Sequence, residues 1–292
     1  MGSKVVLITG CSSGFGYLSA IHLATMGFRV FATLRDLNKA DELRRKVEDD
    51  QLPVTILRLD VTEVASIETC INRIAGEFGR LDVLINNAGY GIGGFFEDLS
   101  DREFRDQMET NFFGVLNVVR AALPLLRKGD DPRIINISSV AGLTTTPGMG
   151  AYNASKWALE GFSECLRQEL ALHGIRVLLI EPGPFPTKVL TKNTRFAKKA
   201  LDPASPNYRF TQAVYRQYQK RNETLKSDPM DIVRLIEHLI TTRNPRFRNV
   251  RGPGAKIRAL IHRFLPWRCN EWIIRKVIFG TLRAGTPGSH TA

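Results

Sequence analysis

Cysteine is scarce in this chain. Cys11, Cys70, Cys165 and Cys269 form no CxxC pair and no metal-ligand spacing. That argues against a zinc module or a disulfide scaffold and leaves reduced thiols and no metal site as the expectation. No run of ~18 uncharged apolar residues occurs, so no membrane-spanning helix is expected. The opening "MGSKVVLITG" passes into strand-like sequence without the pattern of a signal peptide, and Val6 stands where a myristoylation pattern wants Ser or Thr. Together these absences lead to the expectation of a cytoplasmic protein.

Acidic residues are short only in one region. Residues 1–194 hold 21 Lys+Arg and 23 Asp+Glu, whereas residues 195–292 hold 20 and 6. The whole excess of +12 therefore belongs to the last third of the 292 residues. The first two-thirds have the charge balance of an ordinary soluble core.

What is present is a strict alternation. "KVVLI" (4–8), "FRVFATL" (28–34), "VTILRLDV" (54–61), "LDVLINNAG", "RIINISS" and "IRVLLIEPG" are near-continuous apolar runs. Such runs fit strands covered on both faces. Between them lie segments of helical period, among them 16–27, 64–79 and a long helix after Ser100, where Glu103 completes a capping box. The order predicts a single α/β unit: a Rossmann-type, doubly wound parallel sheet of about seven strands with helices on both faces. "RFRNVRG" supplies a candidate seventh strand, and 228–242 a clean amphipathic helix. The expected organisation is a dinucleotide-binding and catalytic core over 1–190 and a substrate loop and helix over 191–245. A basic amphipathic extension follows over 246–283, and a disordered tail over 284–292.

"TGCSSGFG" (9–16) joins the first strand to the first helix. Gly10, Gly14 and Gly16 allow a tight turn and let a pyrophosphate approach the helix N-terminus, where free N–H groups favour negative charge. The second strand ends in "ATLRD", with Leu34 and Arg35 where an NAD-type site places an acid. A guanidinium suits a 2′-phosphate, so Arg35, helped by the Ser12 hydroxyl, favours NADP(H) over NAD(H). Asp36 is expected to turn to solvent or to pair with Arg35. In "AYNASKWALEGF" (151–162), Tyr152 and Lys156 share one face of an otherwise apolar helix. An unperturbed phenol has a pKa of ~10, and a neighbouring ammonium is expected to lower it. Asn111, in "TNFFG", is an amide in a helical stretch, a poor choice there without a task. "NNAG" (86–89) closes the fourth strand near the switch point of the sheet, where ligands of α/β proteins bind.

In order and spacing these motifs resemble the short-chain dehydrogenase/reductase family: TGxxxGxG, NNAG, Asn111, Ser139, YxxxK and the PG-x3-T of Pro182, Gly183 and Thr187. The likeness runs over 4–190 and is nearest to the branch of 17β-hydroxysteroid and retinol dehydrogenases and their bacterial relatives. It implies a catalytic tetrad of Asn111, Ser139, Tyr152 and Lys156. The implied cofactor contacts are Gly10, Ser12, Ser13, Gly14, Phe15, Gly16, Arg35, Asp60 (adenine), Val61, Asn87, Ala88, Gly89, Tyr152, Lys156, Pro182, Gly183 and Thr187 (nicotinamide amide). Phe95, Leu143, Met149 and Phe185 are expected in the substrate pocket, with the aromatics of 184–228 lining it. Tyr152 is the expected acid/base in hydride exchange between nicotinamide and a carbonyl, with Ser139 on the substrate oxygen and Asn111 holding a water behind Lys156.

The expected activity is interconversion of a hydroxyl and a carbonyl on a bulky lipophilic steroid-, retinoid- or polyketide-like substrate with NADP(H). The alternatives are an NAD-dependent dehydrogenase of a natural-product alcohol, or a non-catalytic NADP-binding regulator. Regulators of that kind tend to lose the Tyr or the Lys, and both are kept. The resemblance also implies a homodimer or homotetramer. The basic extension alternates Ile257, Leu260, Ile261, Phe264, Trp267, Trp272 and Ile274 with Lys and Arg. A lid with membrane-surface access is the first expectation for it, ahead of a dimer or solvated face and of an acidic protein partner. No nucleic-acid module accompanies the charge, so no nucleic-acid partner is expected.

Overall fold

The computed structural model describes residues 3–186 and 194–279. Seven strands form one parallel sheet: β1 (Val5–Ile8), β2 (Arg29–Leu34), β3 (Val54–Arg58), β4 (Val83–Asn86), β6 (Arg133–Ile137), β7 (Arg176–Pro182) and β9 (Arg248–Arg251). Their order across the sheet is β3-β2-β1-β4-β6-β7-β9. This is the doubly wound arrangement that the alternation predicts. The direction of travel reverses between β1 and β4, and that gap is where a ligand is received.

The strands are apolar on both sides because both sides are covered. Val5 and Leu7 of β1 enter one buried cluster, and Val6 and Ile8 the other. On the first face lie α3 (Val64–Phe78), α5 (Gly114–Leu126) and α6 (Gly150–Ala171); on the second lie α1 (Gly14–Thr25) and α8 (Met230–Thr241). Each fully buried Leu, Ile or Val contributes about 1.5–3 kcal/mol of transfer free energy. The remaining helices are α2 (Asp41–Asp49), α4 (Asp101–Met108), α7 (Tyr208–Thr224), α9 (Ala255–Phe264) and α10 (Trp267–Phe279).

Three local features depart from the expected pattern. β3 stops at Arg58 rather than 61, because the Asp60 backbone N–H donates to Ser66 Oγ at 3.0 Å and the chain turns into α3. The helix after Ser100 begins with the expected capping box but is interrupted by a π turn at Glu109–Phe113 before continuing as α5. A small parallel pair, β5 (Gly91–Gly93) with β8 (Thr194–Phe196), was not foreseen. Glycine and a three-residue length give it no periodic signal.

Candidate active site

Glycine shapes the floor of the crevice. Gly10 has φ 75°, and a Cβ there would stand 2.8 Å from Ala88 Cα. A Cβ on Gly16 would run into Asn87 Nδ2 and Gly10 O. Four hydrogen bonds lock this close approach. Thr9 Oγ1 accepts from the N–H groups of Asn87 and Ala88, both at 3.0 Å. Asn87 Nδ2 donates to Thr9 O at 2.9 Å and to Gly10 O at 3.0 Å. Asn87 is thus a structural clip between the β1 and β4 loops, a role the motif alone did not reveal.

The first turn of α1 carries no acid, and Ser13, at its N-cap, makes no side-chain cap bond. The donors of that turn are left for an anion, so the loop fits a dinucleotide pyrophosphate.

At the end of β2, Arg35 is mostly exposed, with Nε 3.9 Å from Asp60 Oδ2. The Asp60 carboxylate is held through Oδ1, which accepts from Thr62 N at 3.0 Å and Thr62 Oγ1 at 2.8 Å. Asp36 does not pair with Arg35. It accepts from Asn38 N at 3.1 Å and sits 3.7 Å from Lys39 Nζ. Ser12 is exposed on the glycine-rich turn. The Val61 side chain packs under Gly114, where an added Cβ would meet it at 2.6 Å.

The chemical end is assembled from four elements. Asn111 sits in the π turn, where the extra residue widens the helix and turns its amide inward. Its Oδ1 accepts from Tyr90 N at 3.1 Å, and its Nδ2 donates to Tyr90 O at 3.0 Å and Ser155 Oγ at 3.1 Å. Ser139 follows β6; its Oγ accepts from Ala141 N at 3.1 Å and donates to Pro182 O at 3.4 Å. Tyr152 and Lys156 lie one turn apart on α6, with Lys156 Nζ 5.9 Å from the Tyr152 ring centroid. Lys156 Nζ donates to Ile137 O at 2.8 Å.

Burial pushes the Tyr152 phenol above its ordinary value, and a hydrogen bond with Ser139 opposes the shift. Burial also pulls Lys156 down to about 8, opposed by the Glu160 carboxylate. The expected lowering of the phenol by its neighbour is therefore not met in this state: the ammonium is occupied by the Ile137 carbonyl, and desolvation dominates.

One turn beyond Lys156, Glu160 is buried with Glu181 of β7, and both meet Arg248 of β9. Glu181 is pushed up to about 7 by burial and by the Glu160 charge, against the pull of Asn249 N and Arg248. No spacing along the chain marks this cluster, because its members are 21 to 88 positions apart.

Gly89, Ser139, Tyr152, Lys156, Pro182 and Gly183 open into one cavity of about 680 Å³. Met149 and Phe185 line it, and Phe185 packs edge-on against Phe15 at 5.5 Å. Phe95 and Leu143 are not in its wall. Phe95 instead stacks on Phe210 at 6.2 Å, and Phe196 packs on Tyr215 at 5.2 Å. These aromatics serve each other rather than the cavity. The apolar wall comes from Val214 of α7 and from Ile257, Ile261, Ile273 and Ile274 of α9 and α10. The alternation of apolar and basic residues over 246–283 was the signal that could have placed them. Thr187 and the tail over 284–292 lie outside the described residues. Among the described residues no cluster of metal-ligating side chains occurs.

A glycine-lined anion seat at the switch point, with Ser, Tyr and Lys at the adjoining strand end, defines a nicotinamide-dependent oxidoreductase of Rossmann type. Residues 4–198 match the family described as short chain dehydrogenase, and the chain belongs to that family. It is 38% identical over 285 residues to the uncharacterized oxidoreductase YusZ of Bacillus subtilis, covering 96% of this chain and 100% of that one. It is 37% identical over 261 residues to 3-ketodihydrosphingosine reductase of Bacteroides thetaiotaomicron (88% and 91% covered). It is 36% identical over 253 residues to human retinol dehydrogenase 8 (84% and 80% covered). Among solved structures, a short chain dehydrogenase/reductase from Burkholderia phymatum in complex with NAD is similar, with a TM-score of 0.78 at 27% identity, covering 99% of this chain and 98% of that one. The chain is thus an NAD(P)-dependent alcohol dehydrogenase or ketone reductase of the retinol and hydroxysteroid dehydrogenase-like kind.

Proposed function

We propose that this enzyme interconverts a hydroxyl and a carbonyl on a bulky lipophilic substrate, using NADP(H). The observation that carries the reading is the single cavity that joins the Ser139–Tyr152–Lys156 group to a wall of isoleucines. The named activities of the retinol dehydrogenase and 3-ketodihydrosphingosine reductase relatives support a lipophilic substrate.

The anion seat of Gly10, Ser12, Ser13, Gly14, Phe15 and Gly16 holds the pyrophosphate. Asp60 and Val61 lie at the adenine end, and Asn87, Ala88, Gly89, Pro182 and Gly183 flank the nicotinamide end. The nicotinamide supplies or accepts the hydride. Ser139 donates to the substrate oxygen and steadies its developing charge. Tyr152 gives that oxygen its proton in reduction and removes it in oxidation. Lys156, which donates to Ile137 O in this structure, would hold the nicotinamide ribose hydroxyls when the cofactor is bound and would there favour the phenolate form of Tyr152. Asn111 fixes the Tyr90 backbone and with it the floor under Lys156.

Arg35 is the proposed phosphate-reading group. It stands at the end of β2, mostly exposed and near a carboxylate that Thr62 already holds in place. A panel of hydrophobic ketones and alcohols assayed by absorbance with each cofactor tests the reading. NADPH is expected to be preferred, and Arg35→Ala is expected to weaken NADPH about tenfold or more while leaving NADH nearly unchanged. Unchanged NADPH affinity would refute the assignment.

The outer face of α9 and α10 is proposed to rest on an anionic membrane surface in a cytoplasmic, peripheral protein. Leu260, Phe264, Trp267 and Trp272 are exposed there, beside Lys256, Arg263, Arg268, Arg275 and Lys276. Among the described residues no helix is long and apolar enough to cross a membrane. The same like charge disfavours self-association through this face. A homodimer or homotetramer would form elsewhere on the molecule.

A further inference from the structure

The cavity wall holds a polar group that the reaction does not use. His262 lies on α9 among Ile257, Ile261, Ile273 and Ile274. Its Nε2 is buried and has no hydrogen-bond partner. Buried polar atoms are ordinarily paired, so an orphan on a residue that lines a cavity needs an explanation. The ring cannot easily swing away. Trp157 packs on one side with centroids 6.2 Å apart, and Trp267 packs edge-on at 5.8 Å.

Arg258 stands one helical turn before His262 and lines the same cavity. It is tied to the loop before α6, donating to Thr145 O at 3.0 Å and to Thr146 Oγ1 at 2.6 Å. The roof is thereby pinned to the wall by a guanidinium whose residue lines the cavity. The charges around the cavity have one sign. Arg258 and Lys156 line it, and no Asp or Glu is among the described residues that do. A substrate ammonium would find no counter-ion there, whereas a carboxylate would find a cation and an unpaired imidazole nitrogen.

We propose that His262 and Arg258 form an oxyanion-binding pole in the roof of the cavity, and that the substrate is an apolar molecule carrying a carboxylate in addition to its reacting carbonyl or hydroxyl. This rests on the cavity being the substrate site. It goes further by fixing the substrate's second functional group. It also separates this enzyme from a reductase of amino-ketones, whose substrate would bring like charge toward Arg258. The carboxylate accepts hydrogen bonds from the imidazole and the guanidinium, and the isoleucines enclose the chain between pole and phenol.

The three tryptophans of the chain are Trp157, Trp267 and Trp272, and the first two touch His262. Their emission therefore reports on the pole without turnover. The full chain is titrated with a saturated long-chain carboxylic acid and with the alcohol of equal length. The acid is expected to bind about ten- to a hundredfold more tightly. That preference should vanish in His262→Leu and in Arg258→Gln, with NADPH binding unchanged in both and the thermal midpoint unchanged in His262→Leu.

Equal binding of acid and alcohol to the unaltered chain overturns the proposal. So does a variant that weakens both ligands alike. In a second arm, long-chain ketones with and without a remote carboxylate are reduced. Turnover of the neutral ketone without preference for its carboxylate partner sinks the pole and spares the oxidoreductase. Tight acid binding with no turnover of any ketone does the reverse.

Discussion

The two ends of the cavity are built by opposite means. At the cofactor end, backbone approaches backbone through Gly10 and Gly16, and short side chains such as Thr9, Asn87 and Asn111 are fully engaged. At the roof, two helices present long side chains with little packed behind them, and Phe264 and Trp272 are 72% and 61% exposed. The floor is rigid because Thr9 Oγ1, Asn87 Nδ2 and Asn111 Nδ2 each hold two partners at fixed distances. The roof is more adaptable because, apart from the Arg258 hydrogen bonds, the contacts that line it are largely dispersive and non-directional. Chemistry shared by a whole family sits on the first kind of surface, and substrate choice on the second.

The comparison breaks most sharply at the phenol. Tyr152→Phe is expected to reduce turnover about 10²–10⁴-fold, with NADPH binding retained by fluorescence titration. Retained turnover would remove Tyr152 from the acid/base role. Gly16→Ala comes next. Its methyl group would meet Asn87 and the Gly10 carbonyl, so dinucleotide affinity should fall at least about tenfold and stability by about 1–3 kcal/mol. Isothermal titration and denaturant melts read the two effects.

At the roof the expected effects are smaller. Sedimentation with vesicles containing anionic phosphatidylglycerol should carry the protein down, and vesicles of phosphatidylcholine should not. Arg275→Ala should cost about fivefold in partition, since each surface cation is worth about 1 kcal/mol. Binding to both vesicle types alike, or to neither, would leave the basic face without a lipid role.

The smallest effect tests the buried acids behind Lys156. Glu181 is raised to about 7, so the folded state holds a proton that the unfolded chain has released. Its contribution is full below the ordinary carboxylate range and is lost as pH rises through about 7. Glu181→Gln should flatten the pH dependence of the melting temperature over that window and raise it by about 2–5 °C at pH 8. A slope that survives the substitution would move the titration to another group.

Much of the floor was legible because it depends on local spacing. Gly10, Gly14 and Gly16 had to follow a strand and open a helix, and Tyr152 and Lys156 had to share a helix face; all of them do. Phe95 and Leu143 stand outside the wall of this cavity because an aromatic or aliphatic residue in a loop has many apolar neighbours to choose from. Asp36 turned to Asn38 and Lys39 rather than Arg35 because a 3-10 turn begins there. Neither outcome has a periodic signature.

The sequence by itself determined the parallel sheet, the glycine-rich turn, the family and the candidate site side chains, since each is written in residues a few positions apart whose backbone geometry is locally dictated. Tertiary structure alone decided that Glu160, Glu181 and Arg248 meet, and that His262 Nε2 is buried without a partner. Those are contacts between distant segments. Desolvation and pairing there depend on what surrounds a group in space, which no spacing along the chain encodes.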